Sequence, residues 1–352
     1  MSEGANLVGV DIGSSSVKVC QIEESKKTGR TLVYFGHHPL PPQTIVDGHV
    51  MNPGAVVEGL EKLFHKAKRR DVAIRVSGHS VIIKKITLPL MTPAELSQQI
   101  TWEAEQHIPF DLSEVQMDYQ ELNRRQEQGQ MDVLLVAAKR EEIVDLSNLA
   151  IQARLRPKVV DLDAFALQNC YEIGYGAPGV GQTVVLLHMG ASLTTLNILA
   201  QGTTAFTRDI THAGNTITEE IQRAMGISFE EAENLKCEAS NLSAKVPPEV
   251  HQIVEQASES LAGEIQRSLD FYLATSGSSD IHKIFVSGGS ANCRALVNAV
   301  GRRSGASIET LDPLLAATPN PQKVDANYVQ GMSAQATVSF GLALRKDKEK
   351  RV

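Results

Sequence analysis

The residues with the clearest chemical potential stand near the start of the chain, in the stretch LVGVDIGSSSVKV from Leu7 to Val19. Asp11 closes an apolar strand, and Gly13 can take positive φ or let a ligand approach the backbone. The amides and hydroxyls of Ser14, Ser15 and Ser16 can then converge on an anion. A phosphate chain suits such a loop, with Asp11 placed to hold the water shell of a phosphate-bound magnesium ion. The same residues also suit an ordinary Asp-Gly hairpin at a sheet edge. Two later stretches bear on the choice. TVVLLHMGASLTTLNILA, from Thr183 to Ala200, repeats the apolar strand, the glycine turn at Gly190 and the second strand. Setting Gly190 on Gly13 places His188 on Asp11. Further on, Ile281 to Val286 runs as a strand into Ser287-Gly288-Gly289-Ser290 and a helix from Asn292, a second anion or adenosine site. The ten histidines include no HExxH or similar spacing, so all but His188 read as structural or surface residues.

The elements that must position these loops follow from periodicity and caps. Thr31 to His37 reads as a third strand, residues 53–68 as a helix behind Asn52-Pro53, and Asp71 to Val76 as a strand. From Ser80 the pattern changes: a strand over Val81 to Leu88, then a helix to about His107 opened by the capping box Thr92-Pro93-Ala94-Glu95. Strands over Tyr119 to Leu122 and Met131 to Ala138 flank the polar loop NRRQEQGQ, and Arg140 to Gln152 is a helix. These make a compact inserted unit, Ser80 to Pro157. On its first helix Leu96, Ile100, Ala104 and Ile108 form one stripe, while Trp102 falls on roughly the opposite side, so a second buried or bound face is implied. Lys158 to Leu162 returns to the parent sheet and Asp163 to Tyr171 begins a helix. Ala213 to Ser240 holds two helices joined at Gly226, the second capped by Ser228, with Glu233 and Lys236 on one face. A long helix from about Glu249 to Ala274, a loop over residues 319–328 and a last helix, Ser333 to Leu344, complete the chain before a charged tail, RKDKEKRV.

The repeated strand-turn-strand pattern implies two related lobes with a cleft between them. The expected divisions are residues 1–79 with 158–182 for the first lobe and 80–157 for the insertion. Residues 183–213 with 277–345 would form the second lobe, 214–276 its helical subdomain, and 346–352 the tail. With 352 residues, 42% hydrophobic and 21% charged, the composition is that of an ordinary soluble globular protein. Thirty-four basic against forty-one acidic side chains give −7, against non-specific nucleic-acid binding. The cysteines Cys20, Cys170, Cys237 and Cys293 show no paired ligand spacing, as reduced thiols in a cytoplasm would. The start lacks a basic segment followed by an apolar one, and no apolar run approaches bilayer length, so membrane association is expected only through a partner.

Three glycine-turn loops in this order, with an insertion and an AENLK helix between them, resemble the actin, Hsp70 and sugar-kinase ATPase superfamily. VGVDIGSSSVKV, VVDLDAFAL, TRDITHAGNTITEEIQRAMGISFEEAENLK and VSFGLALR are similar to the PilM family of type IV pilus assembly proteins, relatives of the division protein FtsA. The resemblance implies an α/β, duplicated, actin-like (ribonuclease H-like) two-lobe fold with an FtsA-type insertion, binding ATP and magnesium. By that resemblance Asp11, Gly13, Ser14, Ser15, Ser16 and Lys18 form the first phosphate loop, with magnesium held by Asp11 through water. Gly190, Ala191 and Ser192 form the second loop, and Gly214 and Asn215 open the nucleotide-side helix. Glu233 and Lys236 hold the ribose, while Gly288, Gly289, Ser290 and Asn292 face the adenosine. Asp163 sits near the residue that orders the attacking water. Relatives usually carry a second Asp where this chain has His188. An imidazole there supplies no negative charge beside a magnesium triphosphate, so the expectation is ATP binding with little or no turnover.

The resemblance further implies a cytoplasmic scaffold of the pilus machine. It would dock to the inner membrane on the N-terminal cytoplasmic peptide of a PilN-like protein, held in a groove between the first lobe and the insertion. Other machine components, the cytoplasmic ring and assembly ATPases, are implied as further partners. A polymerising FtsA-like protein is the alternative, and a small-molecule kinase a less favoured one for want of a carboxylate base facing a substrate pocket. The tail has no apolar face for an FtsA-like membrane anchor.

Overall fold

The computed structural model describes residues 4–348 apart from 28, 66, 68, 180, 241–245 and 278–279. Its first half is a sheet begun by β1 (Val8–Ile12), which turns antiparallel into β2 (Ser16–Ser25) and then β3 (Gly29–Pro39). A two-rung hairpin, β4 (Ile45–Val46) with β5 (His49–Val50), leads to α1 (Pro53–Phe64). The Asn52 side chain accepts from the Ala55 amide at 3.2 Å, and Pro53 loses no bond at the first helical position. β6 (Asp71–Val76) then lies parallel to β1.

The insertion follows as β7 (Val81–Pro89), α2 (Pro93–His107), β8 (Val115–Arg125) and β9 (Gln130–Lys139), a three-stranded sheet in the order β7-β9-β8. The reciprocal capping box of Thr92 and Glu95 starts α2 as the sequence requires. Its Leu96, Ile100 and Ala104 bury against Val133, Leu135 and Ala137 of β9 in a core separate from the parent's. The structure revises three expectations in this unit. β8 runs on through Asn123 to Arg125, so only 126–129 turn the hairpin. Trp102 is 72% exposed, so of the buried or bound face expected for it the buried one is excluded. The helix after β9, α3 (Arg140–Gln152), packs Leu149 and Ala150 with Leu60, Val72 and Ile74 of the parent core, while Ile143 and Leu146 meet Val81, Ile83 and Val136 of the inserted strands, so it bridges the two units instead of belonging to the insertion alone.

β10 (Arg156–Leu162) rejoins the parent sheet parallel to β6, and α4 (Asp163–Tyr175) follows. The second sheet is built from β11 (Thr183–Met189), β12 (Thr194–Ala200) and β13 (Thr203–Ile210). Three helices then intervene: α5 (Gly214–Met225), α6 (Phe229–Ala239) and α7 (Pro248–Ser276). β14 (Lys283–Ser287), α8 (Arg294–Ser304) and β15 (Ser307–Thr310) close it. The order β13-β12-β11-β14-β15 repeats β3-β2-β1-β6-β10 strand for strand, with the same antiparallel hairpins and parallel crossovers. The internal duplication therefore covers five strands of each sheet, beyond the hairpins alone.

The chain then returns to the first half. β16 (Thr318–Pro319) pairs with β3, α9 (Ala326–Gly331) is a short helix where a loop was expected, and α10 (Ser333–Ala343) lies on β1, β2 and α4. The expected end of the second lobe at 345 is thus misplaced, because the segment's apolar face finds its partners on the first sheet. Between the sheets, Ala166, Leu167 and Tyr171 of α4 and Val338 and Leu342 of α10 share one core with Val184, Leu186 and Phe285 of the second. That contact seats the two halves face to face. The start of the tail is held by a Lys346–Glu24 pair at 2.7 Å, and residues 349–352 lie outside the described set. Among the described residues no helix is long and apolar enough to cross a membrane.

Candidate functional site

The matching ends of β1 and β11 open onto one cavity of about 680 Å³. Of the residues singled out in the sequence, Asp11, Gly13, Ser14, Ser15, Lys18 and Asp163 line it from the first half. His188, Gly190, Ala191, Asn215, Glu233, Lys236, Gly288, Gly289, Ser290 and Asn292 line it from the second. Ser16, Ser192 and Gly214 stand behind the wall. The Ser16 carbonyl accepts from the Gly13 amide at 3.0 Å, and the Ser192 hydroxyl accepts from the Asn215 side chain at 3.2 Å. Asn292 ends a 3-10 turn and α8 starts only at Arg294, so the turn and the Cys293 cap that follows it face the cavity.

The second-half loops are locked to one another. The Gly190 carbonyl accepts from the Gly214 amide at 3.1 Å and from the Ser290 hydroxyl at 2.7 Å. A Cβ on Gly214 would collide with Ser290 Oγ, so only glycine lets α5 start this close to the Gly288-Gly289 turn. Gly288 itself has φ +89°, a conformation that side chains rarely adopt, and its amide donates to the Ala334 carbonyl of α10 at 2.7 Å.

Glu233 and Lys236 lie on α6, whose Ser228–Glu231 capping box fixes its entry and whose predecessor ends at Gly226 in the left-handed conformation. The Lys236 ammonium donates to the Gly214 carbonyl at 3.1 Å, Thr218 Oγ1 at 2.9 Å and Glu233 Oε2 at 2.6 Å. An ammonium has three protons, so this lysine is committed to holding α6 on α5. Glu233 keeps Oε1 for a ligand, its only hydrogen-bond neighbour there among the described residues being the Cys237 thiol at 3.7 Å. Phe229, Asn234 and Cys237 extend the same wall, none of them singled out by the sequence.

The phosphate-loop end is dominated by a residue that no sequence motif marks. Arg75, flanked by the apolar Ile74 and Val76 near the end of the strand DVAIRV, donates from Nε to Asp11 Oδ1 at 2.9 Å and from Nη1 to Asp163 Oδ2 at 2.7 Å. Its Nη1 also reaches Ser77 Oγ, and Nη2 donates to the Ile12 carbonyl at 3.1 Å. Lys18, directly across the β1–β2 hairpin from Asp11, takes the other carboxylate oxygen at 3.2 Å. A charge inside a buried strand was the available signal, since such a group needs partners.

These contacts set the protonation states. Burial alone would raise the Asp11 carboxyl, but Lys18 and Arg75 outweigh it and hold the group down to about 2. Burial drives Asp163 the other way, to about 7, with Asp11 and Asp209 adding to the rise and Arg75 opposing it. His188, with Nδ1 3.0 Å from Ser287 Oγ, is pushed down to about 4 chiefly by burial, so it is a neutral imidazole at pH 7.

This set of donors does not fit the magnesium ion expected at Asp11. Both oxygens of that carboxylate already face cations, the neighbouring His188 carries no charge, and Asp163 is tied to Arg75. A hydrated magnesium ion asks for carboxylates with charge to spare. What remains is one acceptor, Asp163 Oδ1, buried and without a hydrogen-bond partner.

The model of the type IV pilus assembly protein PilM family matches residues 9–347. Among solved structures, the chain is similar to one from a PilM-PilN type IV pilus biogenesis complex at 26% identity and a TM-score of 0.84, covering 98% of this chain and 99% of that one. It is also similar in fold to the ethanolamine utilization protein EutJ from Carboxydothermus hydrogenoformans, at 13% identity and TM-score 0.57 over 96% and 89% of the two chains. A third likeness of fold is MreB 5 of Spiroplasma citri bound to AMPPNP, at 12% and 0.50 over 95% and 93%.

Proposed function

The chain belongs to the type IV pilus assembly protein PilM family, and on that premise we propose that it is a nucleotide-loaded scaffold that recruits a PilN-like membrane protein to the pilus machine. The observation that carries this reading is the likeness, along almost the full length of both chains, to a member of a PilM-PilN complex. The partner element is the N-terminal cytoplasmic peptide of the PilN-like protein. Any attachment to the inner membrane goes through it, and the machine's cytoplasmic ring and assembly ATPases are the further partners. A second cavity of about 220 Å³ supports a peptide seat where the parent sheet meets the insertion. It is bounded by Ser77 and Gly78, by Val81 to Ile83 of β7, and by Asp209 of β13.

The nucleotide reading rests on the cleft. Phosphates would lie on the Gly13–Ser15 loop beside Lys18, the ribose hydroxyls on Glu233 Oε1, and the adenine along α6 and the Gly288–Ser290 turn. The volume of about 680 Å³ is in the range of small-molecule sites. A nucleoside triphosphate bound here would turn over slowly, since Asp163 is paired with Arg75 and His188 lacks a negative charge. ATP is the nucleotide this reading names.

Calorimetric titration with a synthetic peptide copying the cytoplasmic start of the same organism's PilN protein tests the scaffold role. Saturable one-to-one binding is expected, and loss of binding when the β7 face is altered by Ile83→Glu. A peptide that fails to bind the folded chain, with and without ATP, sinks the proposal. Pelleting in ATP at high speed would instead favour an FtsA-like polymer.

A further inference from the structure

Resting on the nucleotide reading of the cleft, we propose that Arg75 is itself a phosphate ligand that takes the place of a divalent cation, so that ATP binds this protein nearly as well without magnesium as with it. The placement is the first reason. Lys18 Nζ and Arg75 Nη2 lie 3.1 Å and 3.7 Å from the point a Cβ would occupy on Gly13. Both cationic side chains line the cavity together with Gly13, Ser14 and Ser15, so two fixed positive charges stand at the phosphate loop.

Preorganisation is the second reason. The guanidinium is only 14% exposed and is held by Asp11, Asp163, Ser77 and the Ile12 carbonyl, which together account for four of its five N–H groups. The fifth sits on Nη2, the nitrogen nearest the loop. A planar, permanently charged fork clamped in this way meets a phosphate oxygen without losing side-chain freedom, and its remaining N–H offers a charge-assisted donor where a metal would otherwise sit. The third reason is that the same clamp uses up Asp11. With Nε on Oδ1 and Lys18 on Oδ2, the carboxylate at the phosphate loop is already neutralised, and a dication drawn there meets two cations first.

The test is equilibrium binding of ATP to the full chain, by calorimetry, in magnesium and in EDTA. The proposal expects the two dissociation constants to agree within about threefold. The double variant Arg75→Gln with Asp163→Asn removes the cation together with the carboxyl group it pairs with, so that neither is left buried without its partner. Its affinity in EDTA should fall by about tenfold or more and recover with magnesium. A purely structural arginine would lower the melting temperature yet leave the EDTA-to-magnesium ratio where it was, and that result overturns the proposal. So does a wild-type chain that loses ATP by more than about tenfold in EDTA. Should the variant not fold, the wild-type ratio decides alone. A folded wild-type chain that binds no ATP in either buffer overturns the nucleotide reading itself, an outcome distinct from binding that needs the metal.

Discussion

Asp163 and His188 oppose one another in pH, and replacing either should expose the other. An imidazole whose folded pKa falls from 6.5 to about 4 contributes stability that is present above 6.5 and lost as pH drops through 4. At about 1.4 kcal/mol for each pH unit separating the folded and unfolded values, that is about 3 kcal/mol across the window. A carboxyl raised from 3.8 to about 7 does the reverse: its contribution is full below 3.8 and lost as pH rises through 7, about 4 kcal/mol in all. Between pH 4 and 6.5 the two slopes nearly cancel. Asp163 is not among the groups that set the His188 pKa, which is governed by burial, Asp11, Arg75 and Lys18. Asp163→Asn should therefore leave the histidine's slope intact. Urea unfolding followed by circular dichroism at half-unit steps from pH 4 to 7.5 reads this out. Surface groups contribute alike to both proteins, so the informative quantity is variant minus wild type. For Asp163→Asn it should climb by about 4 kcal/mol as pH rises through the window. For His188→Asn the difference should run the other way, by about 3 kcal/mol, with the variant relatively more stable at low pH. A pH-independent difference for Asp163→Asn would show that this carboxyl does not titrate in the window, and would refute the raised proton affinity that burial gives it.

Three further outcomes follow from single contacts. His188→Asp places a second carboxylate beside Ser287 and opposite Asp11, and phosphate release from ATP with magnesium should rise by about tenfold; an unchanged or lower rate counts against the account of slow turnover. Gly214→Ala drives a methyl group into Ser290 Oγ, so it should cost about 1–3 kcal/mol of stability and weaken nucleotide binding in calorimetry. Lys236→Met strips the Gly214 carbonyl, Thr218 and Glu233 of their shared donor, and a fall in stability of about 2 kcal/mol should accompany weaker nucleotide binding in the same titration.

What the sequence disclosed was local in origin. The capping boxes at Thr92 and Ser228, the left-handed stop at Gly226 and the glycine hairpins depend on residues three or four apart, and each stands where periodicity put it. What it concealed depends on partners far along the chain. α3 reads as the last helix of the insertion until Leu149 and Ala150 meet Leu60 and Ile74. α10 follows the second sheet in sequence, yet its apolar residues fit the groove between β1 and α4. Lys236 shows the limit differently: its spacing from Glu233 was legible, but not that Gly214 and Thr218 would use its remaining protons. Arg75 was legible in principle, as a charge among buried β residues, because a strand covered on both sides cannot leave a guanidinium unmatched.

Arg75 also breaks the symmetry of the duplication, and that asymmetry bears on function. Asp11 and His188 are the next-to-last residues of equivalent strands, each just before its glycine turn, so the two halves offer the cleft equivalent backbones and different side chains. On one side the carboxylate is held between Lys18 and Arg75; on the other a neutral imidazole leans on Ser287. Symmetric loops are enough to shape a phosphate seat, since shape comes from amides and glycines. Turnover asks for more: an unpaired negative group near the γ-phosphate to order water. The candidate left with an open oxygen, Asp163, has its other oxygen on Arg75 and a proton affinity near neutrality. Freeing it by removing Arg75 would raise that affinity further and protonate it. The arrangement therefore cannot be converted to a hydrolytic one by deleting the arginine alone. It needs a new carboxylate, and the equivalent position in the other half, now His188, is where the fold would accept one.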